Sequence, residues 1–92
     1  MNESRRKNLR KVMKALREIK DETLCPLNEL LEDTASEEEE TRDSLPENLQ
    51  GSERYEDSEK ASEFMEDAIS AMSDMMDNID SVIEALESIP KV

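Results

Sequence analysis

Twenty-five carboxylates and no histidine set the chemistry open to this 92-residue chain. Without an imidazole, the single thiol, Cys25, has no base to take its proton, and the usual nucleophile–base and His/Cys zinc arrangements cannot be assembled. Cys25 therefore reads as a small buried or half-buried residue. Two carboxylates can act as general acid and base, but only in a shaped, partly dry pocket, which a thin helical chain does not offer. A calcium loop needs alternating oxygen ligands, a central glycine and a terminal glutamate within about twelve residues, and no segment has that order. The expectation is a protein that is not an enzyme and that carries no cofactor and no dedicated metal site.

What the carboxylates can do is present charge. Residues 28–59 hold thirteen acids against Arg42 and Arg54, whereas residues 1–20 hold eight bases against Glu3 and Glu18. Acids three or four apart on a helix stand about 5 to 6 Å from one another, near the spacing of successive phosphates implied by about 3.4 Å of rise per strand unit. A basic groove built for nucleic acid can accept such a surface. The residues expected to dock it are Glu37, Glu38, Glu39, Glu40, Asp43, Glu53, Glu56 and Asp57. The competing reading is that the acids only keep a small coiled coil soluble.

The elements that position these charges follow from periodicity. Leu9, Val12, Met13, Leu16 and Ile19 recur at helical steps, so residues 4–24 read as a basic amphipathic helix capped by Asn2 or Ser4. Cys25-Pro26 interrupts it with a kink or break, because proline lacks the amide hydrogen the ladder needs. Leu27, Leu30 and Leu31 resume an apolar stripe that fades into the four adjacent glutamates, so residues 27–43 read as a weaker, acidic helix or a solvated segment. Residues 44–51 form the connector: Ser44 and Glu47 have capping-box spacing, and Gly51, the only glycine, marks the reversal.

Residues 52–89 read as one heptad helix. Met65, Met72, Ile79 and Leu86 fill one seam position, and Ala61, Ala68, Met75, Val82 and Ile89 fill the other. Ile69, Met76 and Ile83 widen the stripe on one flank, and Phe64, Ala71 and Ala85 on the other. A face this wide wants more than one neighbour. One is the N-terminal helix folding back, which sets residues 5–20 beside Asp74, Asp77, Asp80, Glu84 and Glu87. The other is a second copy. The fold expected is all-α: an antiparallel helical hairpin or coiled coil that dimerises into a four-helix assembly.

No run approaches the roughly 18 apolar residues a membrane span requires, and charges stand where a signal peptide would be apolar. With an odd, lone cysteine this points to a reducing cytoplasm. The basic N-terminal helix lacks aromatic anchors and the rest of the chain repels phosphate, so direct binding to nucleic acid or membrane is not expected.

The segment SLPENLQGSERYEDSEKASEFMEDAISAMSDMMDNIDSVIEALESI, residues 44–89, resembles small uncharacterised acidic helical proteins of bacteria and their phages. The likeness covers about half of the chain, and Pro46–Glu56 is its specific part. It implies a microbial or phage origin and no activity, and the Met-rich seam departs from it. The leading expectation is therefore a phage-borne inhibitor that occupies a basic surface on a host nucleic-acid-handling or defence protein, an anti-CRISPR type of role included. The alternative is a structural or oligomerisation module that docks a partner helix through Ile69, Met76, Ile83 and Leu86.

Overall fold

Pro26 does not end the first helix. The computed structural model, which describes residues 1–90, shows one helical arm from Glu3 to Asp43, made of α1 (Glu3–Glu18), a π-helical segment (Ile19–Leu24) and α2 (Cys25–Asp43). In the π segment the Cys25 N–H reaches back five residues to the Lys20 carbonyl. The wider turn comes just before Pro26, which sits in the first turn of α2 where its missing N–H costs least. The glutamate tract is helical throughout, so the expectation of a separate, solvated segment gives way to a continuous arm.

Both helix starts are capped from the side: Asn2 Oδ1 accepts from the Arg5 N–H at 2.9 Å, and Ser52 Oγ accepts from the Tyr55 N–H at 3.3 Å. Ser44 does not open a capping box. It closes α2, donating its hydroxyl to the Glu40 carbonyl at 2.9 Å. A short 3₁₀ turn (Glu47–Leu49) and Gly51, at φ 88°, then reverse the chain into α3 (Glu53–Glu87).

The two arms form an antiparallel hairpin. Arg17 pairs with Glu87, Lys20 Nζ sits 2.7 and 2.8 Å from the Asp80 carboxylate oxygens, and Cys25 Sγ lies 3.6 Å from Met76 Sδ. Near the turn, Arg42 donates to the Ser62 hydroxyl at 2.6 Å and the Ser58 carbonyl at 3.1 Å. Partner numbers fall on α3 as they rise on the first arm, so the register holds along the rod. Of the acids expected to meet the basic helix, Asp80 and Glu87 do so, while Arg10 turns instead to Glu3 at 2.7 Å.

The seam differs from the heptad reading by one column. On α3 the covered side chains are Met65, Met72, Ile79 and Leu86 together with Ser62, Ile69, Met76 and Ile83. Of the column assigned to the seam from sequence, Met75 and Val82 are 45% and 47% exposed and Ala68 is exposed too, while Ala61 and Ile89 at its ends are half-buried. Column 65–86 has an apolar neighbour on each side, and a single facing helix can cover only one of them.

The first arm shows what the π segment achieves. Its seam runs through the half-buried Leu9, Met13, Leu16, Lys20, Leu24, Asn28, Leu31 and Ala35, with Cys25 half-buried beside Leu24, and has three successive steps of four where a heptad alternates three and four. That extra residue shifts the seam and turns Leu27 and Leu30 out to 51% and 62% exposure. An uninterrupted heptad from Leu9 would have buried both.

The rod measures 70 × 17 × 13 Å, so it is one helix thick. Among the described hydrophobic residues only Ile83, at 8% exposure, is buried. Its two broad faces are unlike. On each arm the residue after a seam position, at about 100° of rotation, points to one face, and the residue before it to the other. Because the arms are antiparallel right-handed helices, equal senses of rotation emerge on the same side. The Arg17–Glu87 pair lies on the first face, Lys20 reaches from the seam to Asp80 on that face, and Arg42 bonds Ser58 and Ser62 within the seam.

Candidate functional site: an acidic groove between the arms

The bonded face carries the acids in their densest arrangement. Past the Cys25–Met76 contact, α2 presents Glu32, Ser36 and Glu39, and α3 presents Glu66 beside Ser62. These side chains, with Ala35, Arg42 and Ile69, enclose an open groove of about 270 Å³. Glu59 and Glu63 on α3 and Asp43 on α2 continue the same side toward the turn, and all three are exposed. Arg42 forms the base of this groove and ties α2 to α3 through the two serines, so the walls hold their spacing. Ser58, the one buried polar residue among the described residues, is small enough to let the arms close at this point.

The eight acids singled out from sequence do not share a surface. Glu39, Asp43 and Glu56 lie on the groove side by their helical phase. Glu37 and Asp57 fall on the opposite face, Glu40 and Glu53 on the outer backs of their helices, and Glu38 at a seam position where it is half-buried. Four consecutive glutamates on a helix cover every direction, about 100° apart. Sequence reasoning missed Glu32, Glu59 and Glu66. The signal that finds them is phase: each directly follows a seam residue, Leu31, Ser58 and Met65 respectively.

The packing residues divide likewise. Met65, Ile69, Met72, Met76, Ile79, Ile83 and Leu86 face the first arm, whereas Met75 and Val82 face solvent. Cys25 is half-buried against Met76. Hydrogen bonding to Asp80 lifts the Lys20 ammonium above its ordinary pKa, and hydrogen bonding to Arg10 lowers the Glu3 carboxyl. Among the described residues no three Cys, Asp or Glu side chains gather as a metal ion would need, and no helix is long and apolar enough to cross a membrane.

No protein-family model, curated protein or solved structure matches the chain. What the site can do must come from its shape and charge: a groove walled by carboxylates from two helices offers acceptors, and no donors beyond Arg42 and the serines. It suits a cationic segment carrying arginine or lysine.

Proposed function

We propose that the protein is a non-enzymatic binder whose acidic groove docks a basic surface of another protein, occupying a place where that partner holds nucleic acid. The observation that carries this reading is the convergence of Glu32 and Glu39 from α2 with Glu66 from α3 on one groove whose spacing Arg42 maintains. A face that served solubility alone would need no such tie. The partner class this favours is a host nucleic-acid-binding protein, including those of defence systems, and the working unit is a four-helix homodimer.

The alternative is an oligomerisation module. It cannot use Ile69, Met76, Ile83 and Leu86 as its docking face, because the first arm already covers them. It retains support from the apolar column left exposed at Met75 and Val82.

Capture of nucleic-acid-binding proteins from a bacterial lysate on the immobilised chain separates the readings. Glu39→Lys, Glu59→Lys and Glu66→Lys combined should lower capture at least tenfold, with double-stranded DNA and added salt releasing what the unaltered chain holds. The same number of reversals on the outer backs, at Glu40, Glu53 and Asp67, should have a smaller effect. Capture unaltered by the groove reversals, or indifferent to salt, would leave the oligomerisation module as the better account.

A further inference from the structure

The face opposite the groove carries a second seam, uncharged from Asn8 to Thr34 on the first arm and from Ala61 to Ala85 on α3, with Glu37 and Asp57 beyond it at the turn end. On α3 it comprises Phe64, Ala68, Ala71, Met75, Val82 and Ala85, with Phe64 at 72% exposure. On the first arm Val12, Ile19, Leu27 and Leu30 emerge on the same face, Ala15 and Thr23 among them. Its phase depends on the π segment. The residue inserted there keeps Leu27 and Leu30 in line with Val12 and Ile19, so the wider turn serves both seams at once.

The surface is also too large for the chain's mass. A compact 10.6 kDa monomer exposes about 5,500 Å² by the usual scaling, and this chain exposes 6982 Å². The excess is more than the roughly 800 Å² that each partner buries in a standard stable interface. We infer that a second copy of this chain covers the uncharged face, with the two hairpins running head to tail. This rests on the dimer in the reading above and adds its face and its direction.

Direction follows from charge. Two hairpins can meet through one face with two-fold symmetry in only two ways. If the axis runs along the rod, the copies are parallel, and the two turn ends, each with thirteen acids and two bases over residues 28–59, lie together. If the axis crosses the rod, each turn end lies over the other copy's open end, where the eight bases of residues 1–20 stand against Glu3, Glu18 and the five acids Asp74, Asp77, Asp80, Glu84 and Glu87 of α3. The second arrangement replaces the strongest repulsion in the molecule with a nearly neutral end, sets residues 28–43 against the other copy's basic residues 5–20, and packs α3 on α3 through its uncharged column. It also places the two acidic grooves toward opposite ends of the dimer, facing outward.

Light scattering and single-cysteine oxidation test this together, in chains with Cys25→Ser. The unaltered chain should have twice its 10.6 kDa mass at micromolar concentration. Leu27→Asp with Val82→Asp should raise the concentration for half-dimerisation at least a hundredfold, and Ser36→Asp on the groove side should leave it unchanged. Thr23→Cys and Asn78→Cys, each near the crossing axis, should each form a disulfide dimer by itself. Disulfide formation only when the two variants are mixed would show parallel copies and overturn the direction while the dimer stands. A mass of one chain at all concentrations overturns both.

Discussion

The two broad faces of this hairpin are built from the same heptad helix and differ by one residue of phase. The residues that follow seam positions include bases near the chain's start and acids further on, with Cys25, Ser36, Ser70 and Ser73 between them: Arg10, Arg17, Glu32, Glu39, Glu59, Glu66, Asp80 and Glu87 all stand there. The residue that precedes each seam position is Ala15, Thr23 or Leu30 on one arm, and Phe64, Ala71 or Ala85 on the other. One face therefore fixes the register with ion pairs and ends in an acidic groove. The other excludes charge along the length between Asn8 and Thr34 and between Ala61 and Ala85, and carries Glu37 and Asp57 only at the turn. Exposed ion pairs contribute at most about 1 kcal/mol each, so the bonded face chooses the alignment of the arms, while apolar burial supplies their cohesion.

The largest effect should come from breaking that one-residue distinction inside α3. Ile83→Ala should cost about 2 to 3 kcal/mol, lowering the midpoint of a helicity melt by well over ten degrees, because the side chain is the most buried of the seam. Val82→Ala, one residue away, should cost under about 0.5 kcal/mol in dilute protein and act mainly on the concentration dependence of the melt. Equal losses in dilute protein would erase the difference between the faces.

A smaller effect, of opposite sign, should come from Asn28→Leu. Asn28 occupies a seam position and donates to Glu32 at 3.2 Å, but its buried Oδ1 has no partner. Replacing it should stabilise the hairpin by about 1 kcal/mol in a denaturant titration. Loss of stability would mean that the amide sets the register, as a lone polar seam residue does in some coiled coils.

The smallest effect belongs to the bonded face. Asp80 raises the Lys20 pKa, so the pair's contribution is whole below the ordinary lysine value of 10.5 and fades as pH climbs through the raised one. Melts of the unaltered chain and Asp80→Asn should differ at neutral pH and converge in strong alkali. A gap that widens with pH would show the pair is not formed.

Much of this was legible beforehand. The hairpin, its direction, a cap at Asn2 or Ser4 and the reversal at Gly51 all follow from local chemistry. Three things did not, and each is a matter of phase. Three apolar columns on α3 admit two seams, and only the facing arm decides that Ile69, Met76 and Ile83 go inward while Met75 and Val82 stay out. Pro26 announces an interruption, but periodicity alone does not say that one inserted residue will absorb it and turn Leu27 and Leu30 outward. A run such as Glu37 to Glu40 looks like a patch in sequence and is a collar on a helix.

The most direct test of the two-seam account compares neighbours at the point where the columns part. With Cys25→Ser as background, Met76→Cys should react slowly with a thiol reagent at every protein concentration. Met75→Cys should react rapidly in dilute protein and become protected as concentration rises. A fast Met76→Cys beside a slow Met75→Cys in dilute protein would show that the first arm covers the other column, and the assignment of faces would be wrong.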